Sequence, residues 1–530
     1  MDRISQVPEF IIHHIMSFLK SPKERVRMSV LSKHLFAITA SFPILDFKEH
    51  KFGKVIKSSH ISSDPNIRYR YVMDNFFKYV DYTTSRFCQQ NVSVHTFKLI
   101  AAFQDPSDVN IADRCLESIL MKGVQVLVIN GQSVKFLPPS APKYRVSNKL
   151  LSASSLTSLT LCECELPSSL MVDAIEFKSL KHLRLQKVPI DKEVIERLTT
   201  SCPLLEEFIV EFCWGLKRFC VYGLQNLQEL EFRYDHGVER IDIDAPNLCF
   251  LLLMGLGGAP CLNVASCKKL TTVYSYGYPS PRSEGLVDLS SNFPHLETLF
   301  LILPQLYKSL KLSSHSLRTF VLHSDCDLDE LDINTPNLLS FDYKGHAHPP
   351  FRVERESVVS KARMECYPSE FVNTLWFQKL RRFLSKKGGF KELKLCLSAH
   401  LFNVEELKLI QGQPFELDHV DLEPDSIKEL SVYLAVVDGV LWCCRPQSLT
   451  IESNFPLINF EEWSHIVKFT YEKLIQQEDP GNSNIQFVIS SSSIAKKHFD
   501  DLTSLLIALP RDGLRQTITI IKEAAVQEAG

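Results

Sequence analysis

The middle of the chain repeats one short pattern of apolar residues at a nearly constant interval. The pattern is apolar-x-x-apolar-x-apolar, as in "LTSLTL" and "LKHLRL", and successive copies begin 21 to 26 residues apart. Their first residues are Leu156, Leu180, Leu205, Leu227, Leu248, Leu270, Leu296, Leu317 and Leu338. This period constrains the fold strongly, because one copy cannot bury its apolar face alone and must stack on its neighbours.

The interval and the consensus predict leucine-rich repeats, whose period is about 20–29 residues. Side chains alternate between the two faces of a strand, so Leu159 and Leu161 should point into the core while Thr160 points outward. We therefore expect an α/β chain in which one parallel strand per repeat builds a curved sheet. A cysteine follows the pattern at Cys164 and Cys213, where the thiol should fill the turn after the strand.

The connections between these strands are expected to differ from one repeat to the next. Several repeats carry a second apolar run about half a period on, for example from Leu216 and from Val238, which predicts short extended segments. In "DKEVIERL", Asp191 is a candidate N-cap of a helix instead. The solenoid should therefore have mixed helical and extended backs.

The pattern becomes irregular after residue 345. One helix is predicted from Ser369 to Lys386, with an apolar stripe of Phe371, Leu375, Leu380, Phe383 and Leu384. Later copies of the repeat begin at Val404 and Ile427. The tail is expected to cap the open end of the solenoid with a helix, a strand and a helix over residues 460–476, 485–490 and 494–508.

Composition excludes several classes of function. The formal net charge is −3, so no broad cationic surface for nucleic acid is expected. The longest uncharged apolar stretch, residues 248–260, is well short of the roughly 20 residues of a membrane helix, and "MDRISQVPEF" lacks the apolar run of a signal peptide. Fifteen cysteines without a CxxC pair predict reduced, mostly buried thiols. We expect a soluble intracellular protein, cytoplasmic or nuclear or both, that binds neither nucleic acid nor membrane.

The first 48 residues hold more apolar groups than they can bury. Pro8 suits a first helical turn, a second helix is expected from Pro22, and Ser32 is a candidate N-cap of a third. Three short helices have too small a core for this apolar content, so part of it should face a partner. His13 and His14 are adjacent on a helix, so their side chains diverge by about 100° and cannot share a metal ion.

The stretch "DRISQVPEFIIHHIMSFLKSPKERVRMSVLSKHLFAI" resembles the F-box of the plant F-box/leucine-rich-repeat proteins. The similar residues are Asp2-Arg3-Ile4-Ser5, Val7-Pro8, Ile12-x-x-Ile15-x-x-Phe18-Leu19 and Val30-Leu31-Ser32-Lys33. "VVDGVLWCCRPQSLTI" at residues 436–451 resembles a segment near the end of the repeats in that family. The chain departs from the family at Leu35, where tryptophan is usual, at Thr39, where a second tryptophan is frequent, and at His34, which replaces an arginine.

The resemblance implies a substrate receptor of a Skp–cullin–F-box ubiquitin ligase, with no catalytic residue, cofactor or metal of its own. The F-box would bind a Skp-type adaptor, and through it a cullin ligase, while the repeats would hold a target protein whose identity the sequence does not give. The residues expected at the adaptor are Val7, Pro8, Ile11, Ile12, Ile15, Phe18, Leu19, Val26, Val30, Leu31 and Leu35. Some of them must instead hold the F-box together, and the sequence does not separate the two groups. Two alternatives are a binding scaffold with a degenerate F-box and a receptor that requires a small ligand.

The resemblance and the repeat pattern together predict the following organisation. The order is a three-helix F-box (1–48), a linker with the first solenoid turns (49–123), leucine-rich repeats (124–345), a helical insertion (346–389), C-terminal leucine-rich repeats (390–455) and an α/β cap (456–530).

Overall fold

A computed structural model provides the coordinates of the chain. It describes residues 7–19, 22–54, 64–89, 94–103, 105–131, 143–255, 260–276, 286–288, 293–303, 309–324, 330–345, 351–353, 361–367, 371–385, 391–409, 413–425, 427–453, 459–477, 483–491, 496–511 and 514–524. The chain forms two compact units, an N-terminal unit of residues 1–268 and a C-terminal unit of residues 269–530.

The N-terminal unit begins with three short helices, α1 (Glu9–Ser17), α2 (Pro22–Ser29) and α3 (Lys33–Ala40), which we call the head. Five further helical segments follow, at Glu49–Gly53, Pro65–Gln89, Pro106–Met121, Asn148–Ser152 (a 3-10 helix) and Lys192–Thr200. Eight strands pair in parallel, in chain order, at Ile44–Lys48, Thr96–Ile100, Val126–Asn130, Ser158–Cys162, His182–Gln186, Glu207–Glu211, Glu229–Tyr234 and Phe250–Gly255. Three shorter strands form a second parallel sheet, at Arg218–Val221, Arg240–Ile243 and Cys261–Asn263.

The predicted alternation of side chains is confirmed along the larger sheet. Leu159 and Leu161 are buried and lie in register with buried leucines of the next strand, while Thr160 is half-buried on the opposite face. Cys164 and Cys213 are buried after their strands, and the Cys213 thiol contacts the Leu185 carbonyl oxygen at 3.5 Å. The leucines of the pattern therefore form the core between the strands and their backs.

The backs are mixed, as the sequence predicts. Asp191 caps the helix Lys192–Thr200 by accepting a hydrogen bond from the backbone N–H of Val194 at 2.8 Å. The second apolar runs appear as the strands Arg218–Val221 and Arg240–Ile243. The helices Pro65–Gln89 and Pro106–Met121 connect the first three strands of the larger sheet.

Asparagine side chains join neighbouring repeats at the turns before the strands. The side-chain amide of Asn226 donates to the Pro203 carbonyl at 2.9 Å, and that of Asn247 donates to the Gln225 carbonyl at 2.6 Å. Each bond reaches back one repeat to a turn carbonyl outside the strand ladder. These turns therefore hold the spacing of the stack.

The C-terminal unit continues the same architecture within itself. Eight parallel strands follow chain order at Thr272–Tyr276, Thr298–Leu303, Thr319–Ser324, Ser340–Gly345, Lys361–Cys366, Glu392–Leu397, Phe415–Pro424 and Cys444–Glu452. Four short strands pair in parallel behind them, at Leu286–Asp288, Ser309–Ser313, Glu330–Asn334 and Phe351–Val353. Its described helices are Thr374–Ser385, Glu405–Lys408, Leu430–Cys443, Phe460–Gln476 and Leu502–Ala508.

The segment expected to interrupt the repeats instead contributes to the sheet. Strand Lys361–Cys366 pairs in parallel with the strands on both sides, so the helix Thr374–Ser385 is the back of a repeat. Its buried side includes Leu380, Leu384 and also Phe377, whereas Phe371 and Leu375 are exposed; the Phe383 side chain and residues 369 and 386 lie outside the described part. The predicted stripe is therefore confirmed at Leu380 and Leu384 and wrong at Phe371 and Leu375, because the side of a helix that is buried depends on the elements packed against it.

The two late copies of the repeat pattern are helical, which corrects their prediction as strands. The copy at Val404 contains the helix Glu405–Lys408, and the copy at Ile427 leads into the helix Leu430–Cys443. The strands lie instead at Phe415–Pro424 and Cys444–Glu452. A leucine spacing of three and two fits a helical turn as well as a strand, so the pattern alone does not separate them.

An antiparallel extension follows the last parallel strand. Strand Gln516–Ala524 pairs antiparallel with Cys444–Glu452, then with Ser483–Ser491, which pairs with the short strand Lys497–Phe499. Arg515 joins this extension to the repeats, since its guanidinium contacts the carboxylates of Glu423 and Glu452. The predicted helix 460–476 is confirmed, and the last helix begins at Leu502, later than expected.

Candidate functional site

The head is held together by a small apolar core between α1 and α3. Its buried members are Ile12, Met16, Leu35, Ile38 and Phe42. Val7, Leu19, Met28 and Ile44 are partly buried and pack against them. Because Ile44 begins the first strand of the sheet, this core also connects the head to the first repeat.

Polar contacts fix α1 against the end of α3. The His13 ring nitrogen Nε2 lies 3.0 Å from the Ile38 carbonyl oxygen, and the His13 ring packs edge-on against Phe42. The Ser41 hydroxyl donates to the Glu9 carboxylate at 2.6 Å. His13 is therefore a structural residue of the head.

Ser32 caps α3, as the sequence predicts. Its hydroxyl oxygen accepts a hydrogen bond from the backbone N–H of Leu35 at 3.1 Å. The Thr39 hydroxyl donates to the Leu35 carbonyl at 2.7 Å. Leu35 is 1% exposed. The two positions at which the chain departs from F-box tryptophans thus have partners inside the head.

The head also exposes many large apolar side chains. Seven of the 26 large apolar residues exposed in the described part of the chain lie between residues 10 and 36. They are Phe10, Ile11, Ile15, Phe18, Val30, Leu31 and Phe36, which we call the head apolar residues. Ile11 and Ile15 lie on α1 and Phe18 is its C-cap residue, and their spacing of four and three places the three residues on one side of the helix. Single exposed apolar residues are ordinary, but this concentration is typical of an interaction surface.

The structure sorts the residues that were expected at the adaptor. Ile11, Ile15, Phe18, Val30 and Leu31 are exposed, with Val30 and Leu31 at 79% and 71%. Pro8 is also exposed, while Val7 and Leu19 are partly buried. Ile12 and Leu35 are buried in the head core, so they belong to the part of the expected set that holds the head together. The Val26 side chain lies outside the described part.

Two exposed phenylalanines were missed by the sequence interpretation. Phe10 lies on α1 and Phe36 on α3, at 69% and 54% exposure. Phe36 directly follows the buried Leu35 in the chain, and the sequence alone does not show which of these two apolar neighbours is covered. Arg27, Lys33 and His34 are exposed along the same segment. Exposed apolar residues bordered by polar ones are the usual composition of a protein interface.

Most of the described cysteines are buried, whereas Cys249 and Cys261 are exposed. No disulfide joins the fourteen cysteines in the described residues. Burial raises the pKa of the Cys202 thiol and of the Cys366 thiol to about 12, so both stay protonated at neutral pH. Cys443 and Cys444 are buried, as predicted.

The described residues contain no group of three or more potential metal ligands. None of the described helices is both long and apolar enough to span a bilayer.

Comparisons with known proteins match both the repeats and the wider chain. A sequence model of the leucine-rich repeats of the FBD-associated F-box protein At5g56370 matches residues 112–287. The F-box/LRR-repeat protein At3g59200 of Arabidopsis thaliana is 26% identical over 259 residues, which are 47% of this chain and 45% of that protein. The chain is similar to plant F-box/leucine-rich-repeat proteins.

Other relatives from Arabidopsis thaliana agree with this family. The putative F-box/FBD/LRR-repeat protein At2g05300 is 27% identical over 270 residues, covering 48% of this chain and 51% of that protein. The F-box/FBD/LRR-repeat protein At1g13570 is 26% identical over 378 residues, covering 67% and 79% respectively. The chain spans about half the length of the first curated relatives that it matches. These similarities support the resemblance stated from the sequence.

Proposed function

We propose that this chain is the substrate-recognition subunit of a Skp–cullin–F-box ubiquitin ligase. The head would dock on a Skp-type adaptor, and the repeats would bind a target protein for ubiquitin transfer. The chain would supply no catalytic group. Its contribution would be effective concentration, because it holds a target lysine near a charged ubiquitin-conjugating enzyme. Such a role places the chain inside the cell, in the cytoplasm, the nucleus or both.

The observation that carries this proposal is the concentration of exposed apolar residues on the head. Ile15 on α1, Phe18 at its C-terminal end, and Val30 and Leu31 between α2 and α3 are not part of the buried head core. Covering apolar surface is worth about 25 cal/mol per Å², so a partner that covers these side chains gains substantial affinity. We therefore assign adaptor binding to the head apolar residues.

The departures from the family at Leu35 and Thr39 do not weaken this assignment. Leu35 is buried and Thr39 bonds to the Leu35 carbonyl, so neither is an exposed anchor that has been lost. Their effect would act through the stability of the head. A tryptophan in place of Leu35 would overpack the head core, which typically costs about 1–3 kcal/mol.

Binding to a purified Skp-type adaptor tests the proposal directly. The intact chain should bind the adaptor in isothermal titration calorimetry, and Ile15→Lys should abolish binding. Val172→Lys is the matched control, because Val172 is also strongly exposed but lies in the repeats. A lysine there should leave the affinity unchanged.

Each outcome separates the candidate functions. Binding that is lost in Ile15→Lys and kept in Val172→Lys supports the ligase subunit. An intact chain that does not bind any Skp-type adaptor contradicts it and leaves a binding scaffold with a degenerate F-box. Adaptor binding together with target binding that requires an added small molecule would favour the ligand-dependent receptor.

A further inference from the structure

The outward face of three strands in the N-terminal unit combines carboxylates with an apolar row. We call it the acidic–apolar face, and define it by residues 207–211, 229–234 and 250–255. Its outward residues are Glu207, Ile209, Glu211, Glu229, Glu231, Arg233, Phe250, Leu252 and Met254. Neighbouring strands lie about 4.8 Å apart, so residues in register are direct neighbours on the face.

Most of the charges on this face already have partners. Glu211 contacts Arg184 at 2.6 Å and Arg233 at 3.2 Å. Arg233 also contacts Glu231 at 3.0 Å. The guanidinium groups of Arg184 and Arg233 therefore balance the charges of the Glu211 and Glu231 carboxylates. The outward positions of the four strands at 182–186, 207–211, 229–234 and 250–255 carry more carboxylates than guanidinium groups, so negative charge is in excess there. The carboxylates are those of Glu207, Glu211, Glu229 and Glu231, and the guanidinium groups are those of Arg184 and Arg233.

The excess negative charge lies at Glu207 and Glu229. These two residues are in register on adjacent strands. Glu207 contacts the His182 ring nitrogen Nδ1 at 2.9 Å, and among the described residues no side chain forms an ion pair or hydrogen bond with the Glu229 carboxylate. Partial burial, Glu207 and Glu231 together raise the pKa of Glu229, while His182 opposes that shift. Like charges directly opposite each other destabilise a sheet, so this pair costs folding stability.

An apolar row adjoins these carboxylates. Phe250 lies in register with Glu229, Leu252 with Glu231 and Met254 with Arg233. All three apolar side chains are half-buried on the outward face. A carboxylate without a cation, next to uncovered apolar surface, is complementary to a side chain with an apolar stem and a cationic head.

We propose that the acidic–apolar face binds a segment of the target protein that places a lysine or arginine at Glu207 and Glu229 and an apolar side chain against Leu252. This inference rests on the proposed function, in which the repeats hold a target. It adds the chemistry of that target, a segment in which basic and apolar residues are neighbours. The bound cation would offset the repulsion between the Glu207 and Glu229 carboxylates. The repulsion energy that destabilises the free chain would therefore be relieved on binding.

Selection from a phage-displayed library of random linear peptides on the full chain tests the proposal. The enriched peptides should carry lysine or arginine within two positions of a leucine, isoleucine, phenylalanine or tryptophan. The affinity of one enriched synthetic peptide is then measured by fluorescence anisotropy. Glu229→Gln should weaken it by about tenfold or more, as expected for loss of a partly desolvated charge pair.

A matched variant and a charge reversal keep the test specific. Glu193→Gln removes an exposed carboxylate from the back helix Lys192–Thr200 and should leave the affinity unchanged. Glu229→Lys should abolish binding of the enriched peptide. The same peptide with its basic residue replaced by glutamate should bind the Glu229→Lys variant and not the parent chain. Thermal unfolding of Glu229→Gln should occur at the parent temperature or above, because a neutral amide removes the repulsion with Glu207.

The outcomes separate this inference from the proposed function. Enriched peptides without basic residues, no enrichment at all, or equal affinity of Glu229→Gln and the parent would overturn the inference. The adaptor titration on the same protein is independent of this face. If the chain binds the adaptor but fails the peptide test, the proposed ligase role stands and the inference about the acidic–apolar face is wrong. If the chain passes the peptide test but does not bind the adaptor, the ligase role is contradicted and peptide binding by the acidic–apolar face is supported.

Discussion

The head and the repeats of the N-terminal unit use their apolar residues in opposite ways. In the repeats, the leucines of the pattern are buried between the strands and their backs, and most of the charged residues at outward positions are paired. In the head, five buried apolar side chains support seven large exposed ones. Apolar content therefore builds a core where units stack, and remains at the surface where a small unit has no neighbour on that side.

The largest effect on stability is expected inside the repeats. Leu230 is fully buried, in register with Phe208 and Leu251 on the two neighbouring strands. Leu230→Ala should lower the free energy of unfolding of the N-terminal unit by about 2–5 kcal/mol, because it leaves a cavity that stacked repeats fill poorly. Urea unfolding followed by circular dichroism measures the change. Leu252→Ala, the same substitution at a half-buried position, should cost clearly less.

A smaller loss is expected in the head core. Leu35→Ala should destabilise the head by about 2 kcal/mol, at the low end for buried leucines, because a core of five side chains can relax around the gap. Hydrogen exchange of the amides in α1 and α3 measures it locally. The exposed neighbour gives the control, since Phe36→Ala should leave the exchange of the same amides unchanged. Equal effects of the two substitutions would contradict the assignment of Leu35 to the core.

Loss of the N-cap should have a moderate effect. Ser32→Ala removes the acceptor of the Leu35 backbone N–H and should destabilise α3 by about 1 kcal/mol. Ser32→Gly should destabilise α3 by only a few tenths of a kcal/mol, since glycine leaves this backbone N–H open to water. Amide exchange in the first turn of α3 distinguishes them. A parent-like exchange rate in Ser32→Ala would show that the cap does not stabilise the helix.

The smallest effect on stability is expected where the effect on binding is largest. Ile15→Lys should change the unfolding free energy of the head by less than about 0.5 kcal/mol, because half of the Ile15 side chain is already in water. The same variant is expected to lose the adaptor. Unfolding of the head by this single exposed change would remove the contrast between the two regions, and would assign Ile15 to folding instead of binding.

The sequence predicted the parts of the fold that repeat. The interval between leucines predicted the parallel strands, and Asp191 and Ser32 were identified as caps because their side-chain oxygens suit the first free N–H groups of a helix. The irregular parts were predicted less well. The strand Lys361–Cys366 was missed, and the copies at Val404 and Ile427 are helical. In each case the local pattern fits two structures, and pairing with distant strands selects one.

The candidate sites divide in the same way. The sequence by itself determined that the head has more apolar residues than it can bury, since that follows from composition and length. Only the tertiary structure decided that Ile12 and Leu35 are covered while Ile15, Phe18 and Leu31 remain exposed, because burial depends on which face of α1 meets α3. The pairing of Glu207 with Glu229 is likewise decided by register, which brings together residues that the sequence separates by a full repeat.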